Sequence, residues 1–202
     1  KVNGEENFNE KFFADDICNP LDPYALSKAK AEMGLKEIAN SSRMEVVIIR
    51  SPLVYGPNPK GNLEILSKAL LRKIPLPFGL ITFNSRSLVY VGNLIDFICV
   101  CSEHSAAKNE TFLVSDDEDL STASMISVLA EALNTRAILF PVPAFILRIL
   151  FKLLGKKEYQ SRLLGNLAVD INKNKELLDW KPKYSVKEGF QRSFKKSFFE
   201  RH

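Results

Sequence analysis

The sequence predicts an α/β fold built on a parallel sheet, and three observations support this class. Short apolar runs rich in β-branched residues, of which residues 44–50 are the clearest, have the composition of buried parallel strands. Segments with helix-start signals alternate with these runs, which is the element order of an α/β sheet. With 202 residues and 46% hydrophobic content, the chain is long and apolar enough to bury a core of domain size.

The first helix has the strongest start signal in the N-terminal third. Asp22 is expected to cap it and Pro23 to be its first residue, so the helix would run to about Asn40. Tyr24 and Lys28 then lie one turn apart on the same face. A free phenol titrates near pH 10, and a nearby ammonium favours its ionised form, so the pair suits proton exchange with a hydroxyl or ketone. The alternative is a half-buried tyrosine covered by a lysine stem.

The remaining elements follow in order along the chain. Residues 51–60, with three prolines and a glycine, are expected to form a shaped loop, and residues 74–79 a second rigid loop. Strands are predicted at 44–50, 87–91, 111–114, 137–140 and 167–170, and helices at 63–72, 94–101, 121–133, 144–154, 156–164 and from Ser185 onward. Ser185 and Glu188 form a capping box for the last helix, which leads into a basic aromatic tail at 194–199.

Charge and composition argue against several classes of function. The net charge is +4 with lysines scattered among acids, so no nucleic-acid partner is expected. Three cysteines are no disulfide framework and two histidines cannot build a familiar zinc site, so a reducing cytoplasm and no metal are expected.

The longest apolar run, residues 144–154, contains Arg148 and Lys152 and is shorter than the roughly 20 residues that span a bilayer. No transmembrane segment is therefore expected. We expect this run to be a helix packed on its own domain, with a position on a membrane surface as the alternative.

Six segments occur in a characteristic order. They are the Tyr24/Lys28 helix, the strand at 44–50, Arg-Ser-Pro-Leu-Val-Tyr-Gly-Pro at 50–57, Gly61-Asn62, Pro-Leu-Pro-Phe-Gly at 75–79 and Arg-Ser-Leu-Val-Tyr-Val-Gly-Asn at 86–93. In this order they resemble the extended short-chain dehydrogenase/reductase family, in its NAD-dependent sugar-nucleotide epimerase, dehydratase and reductase branch. The resemblance covers essentially the whole chain.

The resemblance implies the C-terminal part of a doubly wound Rossmann-type parallel sheet plus a small α/β substrate-binding domain. Residues 1–60 would be a partial dinucleotide-binding region with the Tyr/Lys helix. Residues 61–202 would mainly bind the nucleotide sugar, with 88–115 returning to the Rossmann sheet.

It also implies roles for individual residues. Tyr24 would be the catalytic acid/base, and Lys28 would favour its ionised form and contact the ribose of the cofactor, NAD or NADP. The backbone of Pro52, Leu53 and Val54 would pack beside the nicotinamide, where prolines limit flexibility.

Two further groups of residues would bind the substrate. Asn62 and Leu63 would meet its diphosphate at a helix start, and the surfaces of Pro75, Pro77 and Phe78 would line the uracil ring. Arg86 and Arg162 would bind phosphate oxygens through their planar guanidinium groups.

Structural alternatives remain open for most of these residues. Asn62 could be a simple N-cap, residues 75–78 a loop that seals the core, and Arg86 a solvated surface arginine. Asn93 could contribute to the site or cap a helix.

Two family features are not found in these residues, namely the glycine-rich phosphate loop and the catalytic Ser or Thr. The expectation is therefore a C-terminal portion of a longer enzyme, with about five strands of the dinucleotide-binding sheet outside it. Such a portion is expected to be poorly stable alone, because the apolar strand at 44–50 would lack neighbours, and to bind NAD(H) or NADP(H) no better than a nonspecific control.

The leading hypothesis is NAD(P)-dependent oxidation or reduction at C4 of a UDP-sugar, by a 4-epimerase or 4-keto-sugar reductase of surface polysaccharide synthesis. The parent enzyme would be a homodimer. One alternative is a catalytically silent binding module that associates with membranes through residues 144–154 and the 194–199 tail. Another is a dTDP- or GDP-sugar enzyme, and dehydration also stays open.

Overall fold

The computed structural model describes residues 2–4, 6–7 and 10–194. Its helices are α1 (Pro23–Ser41), α2 (Asn62–Leu71), α3 (Val91–Glu103), α4 (Thr122–Ala132), α5 (Ala144–Leu153), α6 (Lys157–Leu164), α7 (Asn172–Leu178) and α8 (Val186–Phe194). Its strands are β1 (Ile48–Arg50), β2 (Leu53–Tyr55), β3 (Arg86–Tyr90), β4 (Thr111–Leu113) and β5 (Asp119–Leu120). The predicted α/β class is confirmed.

The strands form two small sheets. β1 pairs in parallel with β4, so that Ile48 lies opposite Thr111. β2 pairs in parallel with β3, and β5 pairs with the start of β3 in the antiparallel sense. Parallel pairing across long connections is what the alternation of helices and apolar runs predicts.

Strand β3 separates two hydrophobic cores, because successive side chains of a strand point to opposite faces. Leu88 belongs to the first core, with α2, α4 and α8, and Val89 belongs to the second core, with Phe97, Phe112 and Trp180. Both side chains are fully or almost fully buried.

The predicted starts of α1, α4 and α8 are confirmed. Asp22 caps α1 through a hydrogen bond from the Ala25 N–H to Oδ1 (2.6 Å), and Pro23 is the first residue of the helix. Ser121 caps α4, and the Ser185/Glu188 capping box opens α8 through reciprocal hydrogen bonds. Residues 195–199 of the predicted basic aromatic tail lie outside the described residues.

Several predicted boundaries were wrong. Only Ile48–Arg50 of the strand predicted at 44–50 is a strand, and Met44 is exposed. The predicted loop at 51–60 contains β2, which pairs with β3. The strands predicted at 137–140 and 167–170 are single bridges at Leu139, Leu167 and Val169, because each segment meets its neighbour only briefly.

Candidate active site

Helix α1 presents Tyr24 and Lys28 to the outside. Ala25 and Ala29, four residues apart, are buried and seat the helix, so the neighbouring positions face outward. Tyr24 is 62% exposed, and the Lys28 ammonium lies 5.7 Å from the centroid of its ring. The structure therefore brings together the two residues that the sequence singled out, on an accessible surface.

A largely buried ion pair fixes α1 on the end of β1. The Arg50 guanidinium donates from Nη2 to Glu32 Oε2 (2.6 Å) and from Nε to both carboxylate oxygens of Glu32. Its Nη1 donates to Asn3 Oδ1 and to the Ala14 carbonyl, both at 3.2 Å. Burial alone would lower the pKa of Arg50, but the hydrogen bond and charge of Glu32 raise it overall. The pair holds the Tyr24 helix next to the segment that follows β1.

That segment is the one predicted to pack beside the nicotinamide. Pro52 is half-buried, whereas Leu53 and Val54 expose apolar side chains at the start of β2. Pro52 lines a small cleft whose other walls are Asn3, Gly4, Phe12, Arg50, Ser51, Leu113, Leu167 and Val169. Apolar surface with a few polar groups is typical of a cofactor-binding wall.

A buried carboxylate, which the sequence analysis missed, holds the ends of β2 and β3. Asp116 accepts hydrogen bonds from Tyr55 Oη (2.7 Å), the Tyr90 N–H (2.9 Å) and Asn93 Nδ2 (2.7 Å). Burial raises the pKa of Asp116, and these three donors oppose the rise. A signal was available, because Asp116 comes just after the apolar run at 111–114.

The cap role considered for Asn93 is wrong. Asn93 lies inside the first turn of α3 and is fully buried, where it binds Asp116 and exchanges hydrogen bonds with the backbone of Tyr184. Glycine is required nearby at 189 because a Cβ atom there would collide with Tyr55 Oη.

Arg86 is not a solvated surface arginine. Its Nη1 donates to the carbonyls of Ser161 (3.0 Å) and Gly165 (2.9 Å), at the C-terminal end of α6. Burial lowers the pKa of Arg86 to about 10, with Arg162 lowering it further and Glu6 opposing. Two guanidinium groups thus interact at the end of α6, with the Glu6 carboxylate as a nearby negative charge.

The other predicted substrate residues lie on the side of the first core. Gly61, with a φ of +67°, is the N-cap residue of α2, so the cap role considered for Asn62 is wrong and Asn62 is the first helical residue. The side chains of Leu63 and Phe78 are buried in the first core, so only their backbone groups could meet a ligand. Pro75 is exposed and Pro77 is half-buried, on a segment that packs against α2 and α4.

Two kinds of site find no support in the described part of the chain. No group of three or more His, Cys, Asp or Glu side chains there could hold a metal ion. None of the described helices is both long and apolar enough to cross a membrane.

Comparison with known proteins identifies related chains. The NAD dependent epimerase/dehydratase family model matches residues 2–115. A UDP-glucose 4-epimerase from Vibrio cholerae is 46% identical over 194 residues, which cover 96% of this chain and 59% of that protein. An N-acetyl-alpha-D-glucosaminyl-diphospho-ditrans,octacis-undecaprenol 4-epimerase from Escherichia coli O157:H7 is 30% identical over 148 residues, which cover 69% of this chain and 44% of that protein.

Solved structures share the fold. A UDP-glucose 4-epimerase from Thermotoga maritima, solved with UDP-glucose, superposes with a TM-score of 0.71 at 22% identity, over 95% of this chain and 58% of that one. A UDP-glucuronic acid 4-epimerase from Bacillus cereus, solved with NAD, gives 0.70 at 20% identity, over 95% and 56%. The chain spans between 44% and 59% of the length of these relatives. The predicted Rossmann-type fold and the resemblance are confirmed, and the chain belongs to the NAD dependent epimerase/dehydratase family.

Proposed function

We propose that this chain carries the acid–base centre and part of the substrate pocket of an NAD-dependent enzyme that inverts the configuration at C4 of a UDP-sugar. The observation that carries the proposal is the Tyr24/Lys28 pair, in which the Lys28 ammonium lies 5.7 Å from the centroid of the Tyr24 ring. The pair lies on the accessible face of a helix that the Arg50–Glu32 ion pair fixes in place. The 46% identity to a UDP-glucose 4-epimerase supports the choice of reaction.

In the proposed reaction Tyr24 handles the proton of the sugar C4 hydroxyl. The ionised phenol takes this proton as the C4 hydrogen leaves as hydride, and the protonated phenol returns it when the hydride comes back to the opposite face. The Lys28 ammonium stabilises the ionised phenol during the first step. Bound NAD supplies the acceptor and donor of that hydride.

Residues of the chain fit the nicotinamide end of such a cofactor. Pro52, Leu53 and Val54 present an apolar edge directly after Arg50, whose ion pair also positions the Tyr24 helix. Lys28 would reach the ribose. These residues would hold the nicotinamide near Tyr24 and keep water away from it.

The diphosphate of the substrate would bind at Arg86 and Arg162. Arg86 is half-buried at the C-terminal end of α6, Arg162 is exposed beside it, and guanidinium groups match phosphate oxygens in geometry. The N-terminal turn of α2, with Asn62 and Leu63, would contribute backbone N–H groups, and the backbone of Pro75, Pro77 and Phe78 would meet the uracil edge.

One assay separates the proposed epimerase from a reductase. The full-length protein is incubated with UDP-glucose and NAD, the products are identified by NMR, and nicotinamide absorbance is followed. We expect UDP-galactose with no net change in absorbance, because the hydride returns to the sugar. Net consumption of reduced cofactor with a 4-keto sugar would instead identify a reductase, and loss of water a dehydratase.

A second prediction concerns the two arginines. Arg162→Gln and Arg86→Lys in the full-length protein are each expected to raise KM for the UDP-sugar about tenfold or more, with a smaller effect on kcat, because a charge-assisted phosphate contact is lost. Steady-state kinetics measure this, with Arg72→Gln, an exposed arginine after α2, as the control. An unchanged KM in both variants would remove the proposed diphosphate site.

A second candidate substrate is a sugar carried on a polyprenyl diphosphate. The Escherichia coli O157:H7 relative supports it, and the Arg86/Arg162 site would suit either diphosphate. Assaying both carriers with the same enzyme preparation decides between them.

We also propose that the full-length protein is a cytoplasmic homodimer serving surface polysaccharide synthesis. Exposed apolar side chains on α1, including Met33 and Ile38, support a helix-mediated contact between copies. Light scattering of the full-length protein tests the dimer.

A further inference from the structure

Helix α5 turns a broad apolar surface outward. Phe145, Ile149 and Leu153 are exposed and lie four residues apart, so they form one line along the helix. Ile146, Leu150 and Leu154 form a second exposed line beside it. Only Leu147 is fully buried, with Ala144 and Phe151 packed against the first core. Two neighbouring apolar lines on one helix make a contiguous apolar patch on the surface.

A line of positive charge borders this patch. Arg148 and Lys152 are exposed and lie four residues apart on α5, and the exposed Lys156 follows just after the helix, beyond Gly155. At 3.6 residues per turn Arg148 and Lys152 fall between the buried line and the line of Phe145. The sequence contains no Asp or Glu from 137 to 155. The exposed face of α5 therefore combines apolar side chains with two cations and no acidic side chain.

We propose that the exposed face of α5 docks on an anionic lipid bilayer. The apolar lines would enter the boundary between headgroups and acyl chains, and Arg148, Lys152 and Lys156 would lie at the level of the lipid phosphates. Apolar side chains on one face and Lys or Arg on the other are what an interfacial helix needs. Basic residues at this level are attracted by the negative surface potential of anionic leaflets.

The size and charge of the patch favour lipid over a protein partner. Helix α5 has ten residues and is about 15 Å long. A stable protein interface takes about 20–30 residues on each side, more than one face of a helix of this length supplies. In a contact between two copies through α5, the cationic lines would also repel each other. A bilayer requires neither a matching surface nor an acidic counterpart on a folded partner.

The docking would place lipid beside the segment proposed to bind the nucleotide. The Phe140 N–H donates to the Leu76 carbonyl (3.0 Å), and the Gly79 N–H donates to the Phe140 carbonyl (3.1 Å), only a few residues before α5 begins. This consequence rests on the proposed function. The docking itself does not, because lipid binding can be measured without any catalytic activity.

Vesicle flotation of the full-length protein tests the proposal. One set of vesicles contains phosphatidylcholine alone and the other equal parts of phosphatidylcholine and phosphatidylglycerol. We expect binding to the anionic set that weakens as salt is raised. Ile149→Glu with Leu153→Glu is expected to lower the partition coefficient about tenfold or more, since two inserted side chains become charged. Arg148→Glu with Lys152→Glu is expected to lower it only on anionic vesicles.

The matched control is Ile95→Glu on α3, since Ile95 and Ile149 are both 56% exposed. We expect this variant to bind as the unmodified protein does. Three results would overturn the proposal: no flotation at low salt, equal flotation of the α5 and Ile95 variants, or loss of a dimer on size exclusion in the α5 variant without any lipid binding. The last would assign the face to a second copy. Epimerase activity in solution, measured in parallel, separates a failed docking from a failed catalytic proposal.

Discussion

Replacing Tyr24 with phenylalanine in the full-length protein is expected to lower kcat for epimerisation at least about a hundredfold, the range that general acid–base groups contribute. The substitution removes one hydroxyl from a side chain that is 62% exposed, so the free energy of unfolding should change by no more than about 0.5 kcal/mol. Product formation is followed by NMR, and stability by urea denaturation of the same preparations.

The chain offers a matched control for this experiment. At the start of α6, the N-cap residue Lys156 lies 5.4 Å from the centroid of the Tyr159 ring, an arrangement close to that of Lys28 over Tyr24. Tyr159→Phe should leave kcat essentially unchanged. If Tyr24→Phe kept the same kcat as Tyr159→Phe and the unmodified enzyme, Tyr24 would not be the acid or base. Another group would then have to move the C4 proton. Lys28→Met should reproduce most of the loss, since the ammonium that lies over the Tyr24 ring would be removed.

Asp116→Asn is expected to lower the free energy of unfolding by about 3 kcal/mol, because Asp116 is a buried carboxylate with several hydrogen-bond donors. The carboxylate is 4% exposed and accepts hydrogen bonds from the Tyr55 hydroxyl, the Tyr90 N–H and the Asn93 amide. An amide in its place has one acceptor oxygen instead of two and no charge, so its nitrogen must face either the Tyr90 and Asn93 donors or Tyr55 Oη, whose hydroxyl would then have to turn to the Val186 carbonyl at 3.2 Å. The charge-assisted hydrogen bonds of the buried carboxylate are lost in either case.

The neighbouring residue provides the control for that variant. Asp117 is exposed, and its partner is Lys175 at 2.7 Å. Asp117→Asn changes the same atoms and suits the left-handed backbone there, where φ is +58°. Its cost should stay below about 1 kcal/mol, as for other surface ion pairs. The urea midpoints of Asp116→Asn and Asp117→Asn, measured in one buffer, test this difference in stability. Similar midpoints would contradict a stabilising role for the hydrogen bonds of Asp116.

Local signals explain what could be predicted from the sequence. The start of α1 depends on Asp22 and Pro23, which act on their immediate neighbours, and so the Tyr24/Lys28 face could be placed from the local residues alone. The same holds for the Ser185 capping box. These features need no knowledge of what packs against them.

The features that were missed depend on distant partners. β2 is three residues between prolines and exists because β3 lies beside it. Asp116 meets Tyr55 and Asn93, which are 61 and 23 positions away in the sequence. α7 has only a weak local start signal, since Ile171 precedes it without a side-chain cap and Asp170 accepts a hydrogen bond from the Asn172 N–H. Tertiary contacts decide such elements, and a single sequence records them only weakly.

The position of β3 between two cores has a thermodynamic consequence. Leu88 and Val89 are adjacent in the chain but buried in different cores. If either core opens, β3 loses the packing on one of its faces, and the other core is then weakened as well. The two halves should therefore melt as one cooperative unit rather than as separate foldons. A ligand held at Arg86, at the start of β3, would then slow hydrogen exchange in β1 and β4 as well, through linkage rather than contact.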